Sequence, residues 1–197
     1  MSRTGAEDAL IARVLSCSDS RGWDQARHEW QVIRVEDTGE PVHTCICTHT
    51  GLRYLFTIHN HRNGAQLYPV GSVCIHRFDV PAMRDQLRDL TNIVELEEEV
   101  RRSGGLTLTS KGVSRSALQS LHRYGAFRAT QWNGGRPRRD YHFLLDMFNQ
   151  RRPLSERQAG KVNAILSGVS AFLRETASGA QPRTAVNVPD GYWGFWP

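Results

Sequence analysis

Three of the four cysteines of this 197-residue chain, Cys45, Cys47 and Cys74, fall in one stretch with five of its eight histidines. The first two sit in the run HTCICTH, residues 43–49, and the third follows PVGSV, residues 69–73. Thiolates and imidazoles are the donors that a structural zinc ion takes, four at a time in a tetrahedron. Cysteines separated by a single residue bridge each other poorly, which argues against a Cys45–Cys47 disulfide. Cys45, Cys47 and Cys74 therefore read as ligands of one Zn2+, with His49, two residues past Cys47, as the preferred fourth. His76, His43 and the distant Cys17 compete for that place. The plainer alternative is three reduced cysteines packed as small hydrophobic side chains.

The surrounding residues supply elements that would bring these donors together. Leu52 to Ile58 is an apolar run, His59 to Gly64 a turn, and Leu67 to Val70 a second apolar run. Asn63-Gly64 is a strong hairpin signal, because both residues tolerate positive φ. Cys74 falls where a helix begins, so the free amides and dipole there are expected to stabilise its thiolate. A cysteine turn, a hairpin and a helix that brings the next ligand make the layout of a treble-clef zinc site. Upstream, WQVIRV from Trp30 alternates and is rich in β-branched residues, as a strand is. Val42 to Cys47 is expected to pair with it after the turn Asp37 to Pro41.

Glu29-Trp30, the CICTH run, Asn60, the Asn-Gly turn and PVGSVCI followed by Phe78 together resemble a small zinc-finger module in uncharacterised proteins of tailed bacteriophages and prophages. The matching positions are Cys45, Cys47, His49, Asn60, Gly64, Gly71, Cys74, Ile75 and Phe78. The resemblance covers residues 28–78 best and extends more loosely to 141–166. That family usually has glycine where Thr48 stands. The resemblance implies a zinc-binding phage-type protein and carries no known reaction with it.

Composition bounds the rest. Hydrophobic residues make up 39% and charged residues 23% of the chain, which suits a folded soluble protein. No apolar run approaches the roughly 20 residues of a membrane span. The first fifteen residues lack a signal-peptide core, so the expected location is the cytoplasm, that of the host if phage-encoded. The expected fold class is α+β: an N-terminal treble-clef-like zinc lobe of β-hairpins and a helix, then a mainly helical lobe. Along the chain this gives a leader with a short helix (1–24), the zinc lobe (25–78), a connecting helix (79–103), a basic helical lobe (104–176) and an aromatic tail (177–197). CSDSRGWDQ, residues 17–25, reads as a loosely held turn.

The formal charge of +5 is concentrated. Between Arg101 and Lys161 stand thirteen Lys or Arg and only three acids, a surplus of ten. Arg136, Arg138 and Arg139 lie in WNGGRPRRD between Trp132 and Tyr141, read as an exposed loop preceding a helix at Tyr141. Arg151 and Arg152 follow that helix. Guanidinium groups beside exposed aromatics suit phosphates and bases, so Arg136, Arg138, Arg139, Arg151, Arg152 and Trp132 are the candidate nucleic-acid contacts. A solvated basic face that maintains solubility is the competing explanation. No sequence-reading module is present, so contacts to backbone are expected.

Residues 59–61 spell His-Asn-His, but neighbours on a hairpin turn do not form the dispersed ligand set of a metal-dependent nuclease. Phosphate-binding loops, dinucleotide fingerprints and nucleophile elbows are missing, which leaves little case for an enzyme. The tail NVPDGYWGFWP either folds back or docks on a partner. The functional expectation is thus a non-catalytic zinc protein binding nucleic acid, with a protein-binding factor that redirects a host complex as the alternative.

Overall fold

The computed structural model describes residues 3–178. The aromatic tail, with Tyr192, Trp193, Phe195 and Trp196, lies outside the described residues. The fold is α+β, with strands and hairpins around the cysteine cluster followed by a mainly helical part. Packing divides the chain into two compact units, the first ending at Thr91 and the second beginning at Asn92.

The first unit opens with helices α1 (Arg3–Leu15) and α2 (Trp23–Ala26) and a 3-10 turn, Arg27–Glu29. Strand β1 (Trp30–Asp37) comes next, then the short strands β2 (His43–Thr44) and β3 (Thr50–Leu52), followed by β4 (Tyr54–Asn60) and β5 (Gln66–Val70). Helix α3 (Ser72–Arg77) follows, and α4 (Pro81–Ser103) carries the chain from the first unit into the second. The main sheet is antiparallel in the order β1-β4-β5, and β2 pairs separately with β3. The expected pairing of β1 with residues 42–47 is therefore replaced. Residues 43–52 close on themselves, which leaves the longer, more apolar β4 as the partner of β1.

A bulge corrects the facing of β1. Strict alternation from Trp30 and Val32 would turn Arg34 inward. The register slips between Val32 and Arg34, so that Val35 is buried and Arg34 exposed. The outer edge of β1 is capped by α4, where the Val32 amide donates to the Gln86 side-chain oxygen at 2.8 Å. Leu55, Phe56, Ile58, Leu67, Val70, Ile75 and Phe78 supply most of the remaining core, with Leu10 and Val14 contributed by α1.

The segment between α1 and α2 is held firmly, contrary to the sequence expectation. Glu29 is fully buried, and its carboxylate accepts from the amides of Asp19 and Ser20, both at 2.9 Å. It also accepts from Asn60 Nδ2 at 2.8 Å. Asn63 Nδ2 donates to the Cys17 carbonyl and to Asp19, while Trp30 Nε1 donates to Ser18 Oγ. Burial raises the Glu29 pKa, but the bonds from Ser20, Asn60 and Asp19 outweigh it and hold the carboxyl at about 2.

In the second unit, α5 (Arg115–Arg123) starts at Ser114, whose side chain accepts from the Ala117 amide. A 3-10 turn (Gln131–Asn133) leads into α6 (Pro137–Asn149). Helix α7 (Glu156–Ala177) begins with a capping box between Ser155 and Gln158. The apolar stripe of α7 is buried at Val162, Leu166, Val169, Phe172 and Leu173. Helix α6 begins at Pro137, four residues before the expected Tyr141. Proline is pre-organised for the first helical position, and this draws Arg138 and Arg139 into the first turn. Among the described residues, no helix is long and apolar enough to cross a membrane.

Candidate metal centre and basic turn

The chain between β2 and β3 makes a tight knuckle. The Cys45 amide donates to the His49 carbonyl and the Thr48 amide to the Cys45 carbonyl, each at 2.8 Å. The Ile46 amide donates to the Pro69 carbonyl at 3.0 Å and so pins the knuckle to β5. Thr48 takes φ 71°, the left-handed region that favours glycine. The β4-β5 hairpin follows, and then α3 carries Cys74 in its first turn.

This arrangement gathers three sulfurs. Cys45, Cys47 and Cys74 are buried, with all three Sγ atoms within 4.8 Å of one another. Cys74 Sγ lies 3.6 Å from that of Cys45 and 3.2 Å from that of Cys47. Covalent S–S bonds are about 2.05 Å long, so all three are free thiols. Around a tetrahedral zinc with Zn–S near 2.3 Å, neighbouring sulfurs stand about 3.8 Å apart. The distances from Cys74 to Cys45 and Cys47 lie within about 0.6 Å of that spacing, and three thiols suit a soft metal ion.

Gly71 serves the cluster in two ways. Its amide donates to Cys45 Sγ at 3.3 Å. A Cβ at this position would stand 2.8 Å from a Leu52 methyl, so the backbone approaches closely because no side chain intervenes.

The three sulfurs shift one another's protonation. A hydrogen bond with the Cys74 thiol, opposed by burial and aided by the amides of Cys47 and Gly71, brings the Cys45 pKa down to about 5. Cys74 is pushed up by the sulfur of Cys45, then by burial and the sulfur of Cys47.

Among the described residues, the structure gathers only Cys45, Cys47 and Cys74. His49 and His76 are exposed, His43 is half-buried, and none of them belongs to the group of adjacent donors. Cys17 stands apart, its carbonyl accepting from Asn63. The His-Asn-His run disperses its side chains. Asn60 is fully buried on Glu29, His59 lies against Gln31 across the sheet, and His61 reaches the His28 carbonyl.

The basic turn of the second unit is built upward from Asn133, which is only 2% exposed. Its side-chain oxygen accepts from the amides of Thr130 at 2.9 Å and Arg136 at 3.1 Å. Its Nδ2 donates to the Arg128 carbonyl at 2.9 Å and to Asp140 at 2.7 Å. Gly134 and Gly135, with φ 63° and 72°, then reverse the chain into α6. Above this brace Arg136, Arg138 and Arg139 are exposed, and so is Trp132. Sequence reading passed over Asn133, although Thr130 and Asn133 stand at capping-box spacing.

Tyr141 does not join that surface. It is half-buried and stacked on His122, with ring centres 4.5 Å apart and planes within 4°. Burial first, then the charges of Arg138 and His142, lowers the His122 pKa. Arg151 and Arg152 are exposed beyond the other end of α6, about 20 Å along a thirteen-residue helix. They form a second basic group rather than an extension of the first. No protein-family model, curated protein or solved structure matches the chain.

Proposed function

We propose that this is a zinc-stabilised, non-catalytic protein of the phage type its cysteine motif resembles, and that it binds nucleic acid through its basic second unit. Zn2+ would be held by Cys45, Cys47, Cys74 and a fourth donor, with His49 beside the knuckle as the first candidate. Its role would be structural, since ligation contributes folding free energy directly to a small lobe. Three reduced cysteines in one cluster suit a reducing compartment such as the cytoplasm.

The observation that carries the nucleic-acid reading is the braced turn, which offers Arg136, Arg138 and Arg139 to solvent on a fixed backbone. Guanidinium groups so placed suit phosphate oxygens. Arg151 and Arg152 supply a second point of contact along α6. Binding of this kind weakens steeply with salt.

Fluorescence anisotropy with labelled oligonucleotides, titrated at several salt concentrations, tests the reading. The triple variant Arg136→Glu/Arg138→Glu/Arg139→Glu should abolish binding at moderate salt. Neutral Gln replacements should flatten the log–log salt slope by roughly 2–3, at about 0.7–0.9 for each phosphate no longer neutralised. Wild-type binding that ignores salt, or survives charge reversal, would show that the basic turn is a solvated surface.

A further inference from the structure

Trp132 is 85% exposed, more than any other large hydrophobic side chain among the described residues. Its backbone is nevertheless fixed. Gln131–Asn133 is a capped 3-10 turn, and the Asn133 amide beneath it has both its oxygen and its nitrogen engaged twice. A rigid turn that holds an indole in water presents a ready-made flat apolar face.

The cations stand beside that face. Arg136 is the residue from which α6 starts, and Arg138 and Arg139 lie in its first turn. Arg139 bends back toward the turn, where a Cβ at Gly134 would stand 3.0 Å from its guanidinium. One aromatic plane and three guanidinium groups therefore occupy an eight-residue stretch, Trp132 to Arg139. Tyr141 is already committed to His122, so the turn offers a single stacking surface.

We infer that this turn selects single-stranded nucleic acid, stacking one unpaired base on Trp132 while Arg136, Arg138 and Arg139 hold the flanking phosphates. In a duplex, both faces of every internal base are occupied by its neighbours. An indole on a short turn has no face to meet there, and only phosphate contacts remain. An unpaired strand can turn a base outward, and any base serves because each has a π-face. The inference rests on the nucleic-acid reading of the basic turn and adds the strandedness of the ligand.

The test uses the full chain as purified, with labelled dT20, U20 and a 20-base-pair duplex in one buffer. The two single strands separate DNA from RNA, and preference for either over duplex supports the inference. Trp132→Ala should weaken single-strand binding roughly 5- to 150-fold, the range for losing one stacked base, and change duplex binding less than about twofold. Trp132→Phe should restore most of the loss, and tryptophan quenching on addition of dT20 should be largely missing in that variant. Trp132→Ala affecting both ligands equally, or neither, while the arginine reversals still abolish binding, would overturn the strand preference and leave the nucleic-acid function standing. Failure of the wild-type chain to bind any of the three ligands would overturn both.

Discussion

Replacing Glu29 with Gln changes almost no volume and removes one buried charge, so its effect can be worked bond by bond. One carboxylate oxygen accepts from the Asp19 amide and Asn60 Nδ2, while the other accepts from the Ser20 amide and lies 3.6 Å from Arg62. A glutamine must set its NH2 against one of these groups of donors. The cheaper orientation leaves the Ser20 amide without a partner, at about 1–3 kcal/mol for a buried donor. The two surviving bonds lose their charge assistance, at about 1 kcal/mol each. The expected loss is therefore about 3–5 kcal/mol, a large share of the ~5–15 kcal/mol that holds a typical domain together. Urea denaturation of the purified protein gives the global cost, and hydrogen exchange at Asp19 and Ser20 shows whether the segment opens locally. The pH dependence carries the sign. The carboxyl has an ordinary value near 4.5 and a folded value of about 2, so its contribution is complete above pH 4.5 and drains away as pH falls toward 2. Glu29→Gln should remove that part of the acid dependence. A variant within 1 kcal/mol of wild type, with Asp19 and Ser20 still protected, would refute the reasoning.

Two further perturbations bear on the candidate metal centre. Cys74→Ser, or chelation of the wild type, should release the metal and unfold the first unit while α5–α7 keep their helical signal, as read by native mass spectrometry with metal analysis and circular dichroism. A variant that stayed folded without metal would return the cysteines to a packing role. Thr48→Gly should stabilise the knuckle by up to about 1 kcal/mol, the left-handed penalty of ~1–2 kcal/mol for a non-glycine residue being partly offset by the backbone entropy of glycine. A lower urea midpoint for that variant would mean that interactions of the Thr48 side chain outweigh its backbone strain.

What the sequence disclosed was mainly local. Asn63-Gly64 announces a hairpin, and the chain turns there with Gly64 at φ 78°. Ser114 and Ser155 cap the helices that follow them because capping is decided within four residues. The cysteine cluster was legible because ligand chemistry restricts which residue types can meet. The 17–25 segment was not, since its order comes from Glu29 and from Asn60 and Asn63 some forty residues later. The bulge at Val32/Arg34 was hidden for a similar reason: only the partner strand β4 decides which neighbour turns inward. Arg136 and Arg151 looked continuous in a charge count, and the length of α6 separates them.

The clamp between the 17–20 segment and the hairpin turn also imposes an order of assembly. Its donors and acceptors stand 43 to 46 positions apart in the chain, at Cys17 with Asn60 and Asn63. During synthesis α1 leaves the ribosome first, yet the asparagines that dock its trailing loop have not been made. Glu29 alone is on hand, and it lacks the β4 neighbour that encloses it. Until the ribosome has passed Asn63 and the hairpin has closed, the 17–20 segment lacks the side chains that dock it.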